Sequence, residues 1–198
     1  MNESPDLLDL VVGRRSVAAL AEPGPSAEQL ERILLAAGAV PDHGLLRPFR
    51  FVVAEGDGRA RFGDALAASA AEHAPGMPEK KLESVRAKAF RSPTIVALIA
   101  SPKPGKIALW EQSATAACAG YAIVLAAHAL GVGAVWKSVP FTKGRALAEA
   151  LGLREDEEML GWIHLGTPVR DEPPAPRPPL AIGDIASVLD PGGLRPWR

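Results

Sequence analysis

Two arginines followed by a serine are the first residues in this chain whose types and spacing could do chemistry. Arg14, Arg15 and Ser16 stand side by side after a short apolar run. A guanidinium group can bind two phosphate oxygens at once, and a serine hydroxyl adds a further hydrogen bond. The triplet therefore predicts an anion site. Taken alone, the same residues also fit an exposed basic helix end, so both interpretations stand at this point.

The histidines and the single cysteine do not indicate a metal site or a nucleophile. The four histidines are His43, His73, His128 and His164, and their spacing, with no cysteine beside them, does not suggest zinc. We expect His128 and His164 to be core or edge residues with satisfied nitrogens. Cys118 lies in an apolar stretch and is expected to be a buried structural thiol. One cysteine excludes an internal disulfide and suits a reducing compartment.

Other sequence motifs for catalysis or nucleotide binding fail on inspection. The glycines at 131 and 133 resemble a dinucleotide-binding turn, but the third glycine is missing and the segment follows a helical stretch instead of a strand. There is no nucleophile elbow of the GxSxG type and no Walker loop. Nothing specific supports a Ser-His-Asp arrangement.

Length and composition set the class of protein. A chain of 198 residues fits one domain, and its apolar fraction of 47% is enough for a sizeable core. The net charge of −1 gives no basic excess that would indicate nucleic acid binding. The first residues are acidic ahead of their apolar run and lack the basic start of a signal peptide. The sequence therefore predicts a soluble cytoplasmic protein.

A long helix and the strand after it form the centre of the predicted fold. The stretch 109–130 has no proline and only one glycine, so it predicts a helix about 33 Å long, with Gly131 as its stop. The apolar run 134–139 then reads as a short buried strand. A membrane span is the alternative, but small residues dominate the helix, His128 lies inside it and no Lys or Arg flanks its start. A core helix buried on most sides, with a dimer seam as one possible setting, is the favoured interpretation.

The remaining segments supply the elements around this helix. Helices are expected over 6–12, 27–37, 59–71, 79–90 and 143–151, the second opened by a capping box of Ser26 and Gln29. Strands are expected over 51–54, 93–99 and 159–165. The polar segment 72–92 is predicted to be a mobile cover. The tail is proline-rich and extended over 171–179, with a short element over 180–189, and either wraps a partner subunit or lies in solvent.

The order of these features resembles the FMN-dependent nitroreductase family in its short form. The resemblance spans nearly the whole chain, and its carriers are the triplet 14–16, Pro-Asp-His at 41–43, the segment 47–53, the long helix from Trp110-Glu111, the segment 131–138, Leu-Gly-Thr-Pro at 165–168 and Pro-Arg-Pro-Pro at 176–179.

This resemblance implies a fold and an assembly. The expected fold is α+β, with a central, mostly antiparallel sheet flanked by helices, in one domain over 1–198. The long helix would lie at the interface of a homodimer, and the tail over 171–198 would extend onto the partner subunit. Two FMN molecules would sit at that interface.

The resemblance also implies site residues and a reaction. The phosphate of FMN would be held by Arg14 and Ser16, with Arg15 near the phosphate or ribityl chain. The other residues implied to bind the cofactor are His43 and Arg47 beside the flavin, Trp136, Lys137 and Ser138 closing the pocket, and Arg177 as a further phosphate ligand. Related short members often carry an amide where Arg47 stands and Arg where Lys137 stands, so the ring contacts of these two stay open.

The implied activity is transfer of hydride from NAD(P)H through FMN to a nitroaromatic, a quinone or a similar small oxidant, in a ping-pong mechanism that needs no catalytic side chain and no metal. The alternatives are other flavin chemistry on the same scaffold, such as flavin destructase or reductive dehalogenase activity, and a non-catalytic dimer that binds flavin.

Overall fold

A computed structural model describes residues 6–169 and 177–197. The helices are α1 (Leu7–Gly13), α2 (Ala27–Leu35), α3 (Gly58–His73), α4 (Glu79–Arg86), α5 (Leu109–Ala129) and α6 (Arg145–Leu151). The strands are β1 (Leu20–Ala21), β2 (Phe49–Glu55), β3 (Thr94–Ala100), β4 (Gly133–Lys137), β5 (Glu158–Pro168), β6 (Ser187–Asp190) and β7 (Gly193–Pro196). Short 3-10 turns lie at Ala36–Ala39, His43–Leu45, Ala87–Phe90 and Ile182–Asp184.

The longest strand, β5, is the centre of the main sheet. It pairs with β3 on one side and with β4 and β1 on the other, and β2 pairs with the far side of β3. Every one of these pairs is antiparallel, and so is the separate β6–β7 hairpin. The predicted α+β class with an antiparallel sheet is therefore confirmed.

Helices bury a core on each face of this sheet, because successive strand residues point to opposite faces. On one face α3 and α6 pack against the sheet through buried side chains that include Phe62, Leu66, Leu147, Ile95 and Trp162. On the other face α2 and α5 pack through a second set that includes Ile33, Ile123, Val96, Ile163 and Leu165. The strands β3 and β5, which contribute side chains to both cores, therefore lie between two helical layers.

Helix α5 ends as its sequence predicts. Gly131 adopts a φ of 71°, a left-handed conformation that glycine reaches without strain. The amide of Val132 donates to the carbonyl of Ala127 at 2.8 Å, and the amide of Gly131 donates to that of His128 at 3.1 Å. These two bonds satisfy the last carbonyls of the helix in a Schellman motif, and the chain turns at once into β4.

One face of α5 is open, which corrects two expectations. The side chains of Trp110, Ala114, Cys118 and Tyr121 recur at intervals of three or four residues and are exposed in the single chain. The prediction of Cys118 as a buried thiol is therefore wrong for the single chain, and the helix is buried on only part of its circumference. The sequence hides this face because apolar and small residues occupy all sides of the helix, so periodicity does not identify the outward one.

Within the described residues, no helix is long and apolar enough to cross a membrane.

Several boundaries differ from expectation. The helix expected over 79–90 ends at Arg86 and continues as a 3-10 turn, whereas α3 is longer than 59–71 at both ends. The segment 72–92 packs on α3 through a buried Ala89 and an ion pair of 2.8 Å between Arg86 and Asp64. Its mobility stays a prediction. Most of the proline-rich stretch lies outside the described residues, and the described part of the tail carries the β6–β7 hairpin.

Candidate functional site

The arginine triplet is fixed beside the start of β4. The amide of Arg14 donates to the carbonyl of Leu10 at 3.2 Å and so closes α1, while the amide of Val17 donates to the carbonyl of Ala134 at 2.9 Å. The triplet is thereby held between the end of a helix and the strand that follows α5. Ser16 is exposed, and Arg14 and Arg15 are partly buried.

Three arginines meet at this point, although one of them is far away in sequence. The Nη2 atom of Arg177 donates to the carbonyl of Arg14 at 2.5 Å, and Nη1 of Arg15 donates to the carbonyls of Val12, Gly13 and Arg14 at 2.7–3.1 Å. The guanidinium of Arg14 lies 5.8 Å from the ring centroid of Tyr121. We call Arg14, Arg15, Ser16 and Arg177 the arginine cluster.

The cluster holds donors and charge that the described chain does not use. The Nε atoms of Arg14 and Arg15 are buried and have no hydrogen-bond partner in the part of the chain that the structure describes. No ion pair joins the three arginines to a described carboxylate. An unsatisfied buried donor costs about 1–3 kcal/mol. The arrangement is therefore suited to an external group with several negatively charged oxygens.

His128 lies behind the cluster and supplies no counter-charge. Burial, and then the positive charges of Arg14 and Arg15, lower the pKa of this imidazole below its ordinary value. It is therefore neutral near pH 7. A neutral ring at this position leaves the positive charge of the arginines available to a ligand.

The second group of predicted site residues lies in a strained loop near the first turn of α5. Leu45 and Arg47 have φ angles of 53° and 47°, which are uncommon for residues with a side chain. The carboxylate of Asp42 holds this loop by accepting the amide of Arg47 at 2.7 Å. Such strain is found most often at functional sites.

The imidazole of His43 is oriented by α5. Its Nδ1 atom lies 2.9 Å from Oε2 of Glu111, in the first turn of that helix. Ten residues, or about 15 Å of helix, separate Glu111 from Tyr121, whose ring lies beside the guanidinium of Arg14. Within one chain the structure therefore does not bring His43 and Arg47 together with the arginines, although both groups lie along α5.

The third group, at the end of β4, is divided between the two faces of the sheet. Trp136 lies on the α5 face, where its Nε1 donates to the carbonyl of Leu160 at 3.3 Å and its ring packs against Gly120. A Cβ atom on Gly120 would lie 2.8 Å from that ring, so only glycine fits there. Lys137 and Ser138 are exposed and line a cavity of about 150 Å³ with Lys88, Arg91, Trp162 and His164.

His164 is a core residue whose two nitrogens are both satisfied, as its sequence setting predicts. The indole of Trp162 donates to Nε2 at 2.8 Å, so the ring proton is on Nδ1, which donates to Oγ of Ser92 at 2.7 Å. The Ser92 hydroxyl in turn donates to the carbonyl of Thr94 at 2.8 Å. Burial lowers the pKa of His164 to about 4, and the positive charges of Arg91 and Lys137 act in the same direction.

Sequence reasoning missed several residues that surround these groups. Tyr121, Glu111, Lys88 and Arg91 reach their positions through tertiary packing, and no local pattern singles them out. One signal in the sequence could have found two of them. Glu111 and Tyr121 lie in the same predicted helix as Trp110, which places charged and aromatic side chains along that helix.

Three comparisons with known proteins agree with one another. The sequence profile described as "Nitroreductase family" matches residues 11–167. The Escherichia coli K12 protein named "Putative NAD(P)H nitroreductase YdjA" is 40% identical over 164 residues, which cover 82% of this chain and 88% of that protein.

Solved structures have the same fold. A nitroreductase-like family protein from Bacillus cereus superposes with a TM-score of 0.83 at 21% identity, covering 96% of this chain and 99% of that one. The Mycobacterium smegmatis protein described as the FMN-dependent nitroreductase NfnB, in complex with NADPH, gives a TM-score of 0.65 at 17% identity over 82% and 87% of the two chains.

Proposed function

Because the chain belongs to the nitroreductase family, we propose that it is a homodimeric oxidoreductase that uses FMN to carry hydride from NAD(P)H to a nitroaromatic, a quinone or a similar small oxidant. The observation that supports this most directly is the arginine cluster, with its two buried Nε donors that no described residue satisfies. The names of the relatives give the reductant and the cofactor, and the unsatisfied donors of the cluster support its assignment to that cofactor's phosphate.

The phosphate of FMN fits the cluster by charge and by hydrogen bonding. A phosphate monoester carries close to two negative charges near pH 7 and has three strong acceptor oxygens. Arg14, Arg15 and Arg177 would neutralise it, and Ser16 would donate a hydroxyl hydrogen bond. A charge-assisted hydrogen bond of this kind contributes about 1.5–3 kcal/mol.

When bound, FMN supplies the hydride chemistry, and the protein supplies placement and electrostatics. We assign Trp136, Ser138 and His43 to the walls around the ring. A cation near the ring stabilises the negative charge that develops on reduction. Lys137 and Arg47 are the two candidates for that cation, and the reduction potentials of Lys137→Gln and Arg47→Gln distinguish them. The variant that loses the cation beside the ring shows the more negative potential.

The open face of α5 supports the dimer. Small side chains at Ala114, Ala117 and Cys118 allow a second helix to approach closely, and Trp110 and Tyr121 add large apolar area on the same face. Helix α1 packs on α5 and exposes Leu7, Leu8 and Val12 beside it. A patch of this extent on one molecule indicates an interaction surface.

The tail is the second part of the proposed assembly. Leu180, Ile185, Leu189, Leu194 and Trp197 all expose large apolar surface in the described part of the tail. Contact with the partner subunit would bury them.

A single domain over 1–198 and a place in the cytoplasm stay predictions of the sequence.

The experiment that tests this function starts from the visible spectrum of the protein as purified. We expect a flavin spectrum that bleaches on anaerobic titration with NADH or NADPH and returns when a quinone or nitroaromatic is added. If both substrates use one site in turn, double-reciprocal plots at several oxidant concentrations are parallel. Intersecting lines contradict the ping-pong mechanism, and a colourless protein that does not take up FMN contradicts the function itself.

A further inference from the structure

A cavity opens at the edge of the main sheet, between the strand β2 and the helices α3 and α6. Its volume is about 200 Å³, and nine described residues line it. Among these nine, Arg61 alone carries a polar side chain, and the other eight are apolar residues or glycine. We call this cavity the β2 cleft.

The floor of the β2 cleft belongs to the hydrophobic core. Phe62 of α3, Ile95 of β3 and Leu151 of α6 line the cleft, and all three are buried members of the core on this face of the sheet. Val52 of β2 forms part of the wall and packs against the same core. The cleft therefore extends from the surface of the protein down to its core.

Small residues keep the cleft open. Ala54, Gly58 and Ala150 line it at positions where larger side chains would fill the space. A Cβ atom added to Gly58 would meet a single neighbour within 4 Å, the Cβ of Ala54 at 3.8 Å. In addition, β2 is an edge strand, so no further strand of the described chain covers this side of the cleft. Protein interiors leave few voids larger than a water molecule, so apolar space of this size is suited to a guest molecule.

The volume of the cleft limits the size of that guest. An apolar cavity of about 150 Å³ stays dry and holds a benzene ring, whereas sites for drug-sized ligands have volumes of about 300–1,000 Å³. A cleft of about 200 Å³ therefore takes one aromatic ring with a small substituent. It is too small for a flavin or for a nicotinamide dinucleotide.

Arg61 determines the charge of the guest. Its side chain is exposed, and no ion pair joins it to a carboxylate within residues 6–169 and 177–197. By contrast, Arg50 pairs with Glu157 at 2.7 Å and Arg86 pairs with Asp64 at 2.8 Å. A guanidinium group binds a carboxylate through two parallel hydrogen bonds. An apolar cleft with this group beside it is therefore suited to a ring that carries a carboxylate.

The β2 cleft is separate from the proposed cofactor site. None of its lining residues belongs to the arginine cluster or to the residues assigned to the ring of FMN. The arginine cluster contacts α5, which packs on the opposite face of the sheet. The strand β4 is separated from β2 by β5 and β3, so the two strands lie about 14 Å apart at the usual spacing of about 4.8 Å between neighbours.

We propose that the β2 cleft binds a small aromatic carboxylate, with its ring in the apolar space above Phe62 and Ile95 and its carboxylate on Arg61. The proposal depends on the volume, the lining and the charge of the cleft. It does not depend on the proposed function.

The first experiment titrates benzoate into the protein loaded with FMN, so that the cofactor site is already filled. The methyl resonances of Val52 and Ile95 are followed by NMR, and the visible spectrum of the flavin is recorded in parallel. We expect saturable shifts of both methyl groups and no change in the flavin spectrum. If the methyl shifts do not saturate, or if benzoate changes only the flavin spectrum, the proposal is wrong. If the protein takes up no FMN, the same NMR titration of the flavin-free protein tests the cleft, so the two proposals fail independently.

The contact with Arg61 is tested by removing either of its partners. Arg61→Ala is expected to raise the Kd for benzoate by about fivefold or more, because it removes a charge-assisted contact at an exposed position. It leaves the Kd for toluene, which has no carboxylate, unchanged. Arg32→Ala removes an exposed cation of α2 outside the cleft and changes neither Kd. The same Kd for benzoate in Arg61→Ala and in the unmodified protein overturns the proposal.

The position of the ring is tested by filling the cleft. Ala150→Leu is expected to abolish the binding of both benzoate and toluene, whereas Ala68→Leu, at an exposed position of α3 outside the cleft, leaves both unchanged. Benzoate binding that survives in a folded Ala150→Leu variant places the ligand elsewhere and contradicts the proposal. Should that variant fail to fold, competition in the unmodified protein decides: we expect toluene to displace benzoate from the Ile95 methyl group, and independent binding of the two overturns the proposal.

Discussion

At the scale of single residues, hydrogen bonding distinguishes the basic side chains that could bind a ligand from the histidine that belongs to the core. The Nε atoms of Arg14 and Arg15 are buried without a described acceptor, whereas both nitrogens of His164 are fully used. The first situation leaves binding capacity for a ligand, and the second stabilises one tautomer of a core histidine. Histidine content alone does not distinguish a site from a core residue, but the hydrogen-bond inventory does.

The stability of the protein is expected to depend on pH through His164. The unfolded chain takes up a proton on this ring near pH 6.5, whereas the folded protein resists protonation until about pH 4. The unfolded state therefore binds more protons in this window, and stability falls as the pH falls from 6.5 to 4, by about 3 kcal/mol from this group.

Urea unfolding at several pH values measures this effect. In His164→Gln, whatever its stability at pH 7, the free energy of unfolding is expected to fall by about 3 kcal/mol less between pH 6.5 and pH 4 than it does in the unmodified protein. An unchanged slope contradicts the burial argument. The contribution of Glu157, whose pKa is lowered from 4.5 to about 2 chiefly by its bond to Arg50, is lost as the pH falls from about 4.5 to 2, so most of it is lost below this window.

At the scale of elements, one unit positions much of the candidate site. It consists of α5, the glycine that ends this helix, and β4. The sequence predicts this unit well because it is local: a long stretch without proline, a glycine at 131 and an apolar strand. The same holds for α2, where Ser26 accepts the amide of Gln29 at 3.1 Å and the Gln29 side chain accepts the amide of Ser26 at 2.9 Å.

Features that depend on tertiary packing were not predictable. The exposure of Cys118 depends on which side of α5 the sheet covers, and the helix is apolar on every side. The approach of Arg177 to Arg14 and of Arg91 to Lys137 joins residues far apart in sequence. The sequence does not predict the left-handed conformations of Leu45 and Arg47 either, because neither residue type favours them.

The glycine stop of α5 gives a prediction at this scale. Gly131→Ala places a Cβ at a φ of 71° and is expected to lower the free energy of unfolding by about 1 kcal/mol. Gly38→Ala is a matched control, because no atom lies within 4 Å of its added Cβ and its backbone is not left-handed. Chemical denaturation compares the two, and an equal effect contradicts the account of the turn.

At the scale of the whole molecule, one exposed helix face and one exposed tail account for much of the apolar surface. The face of α5 carries small residues between Trp110 and Tyr121, and the described tail exposes Leu189, Leu194 and Trp197. The proposed dimer buries both. The resemblance in sequence implied this assembly, and the exposed face supports it with a physical reason.

A charge placed on this face is expected to disrupt the dimer. Ala117→Glu puts a carboxylate in the centre of the proposed seam, where burial without a partner costs several kcal/mol. Sedimentation analysis is expected to show a dimer for the unmodified protein and a monomer with little bound flavin for the variant. Ala68→Glu, at an exposed position of α3, serves as the control and stays dimeric. A variant at Ala117 that remains a flavin-loaded dimer rules out this seam.

The most direct test of the whole account compares the binding of FMN with that of riboflavin, which lacks the phosphate, to the protein freed of flavin. If the arginine cluster holds the phosphate, the unmodified protein binds FMN far more tightly than riboflavin. Arg14→Ala then weakens FMN binding by about tenfold or more and leaves riboflavin binding unchanged, while Arg32→Ala changes neither. Equal affinity for the two flavins, or an Arg14→Ala variant that binds FMN as tightly as the unmodified protein, would contradict the account.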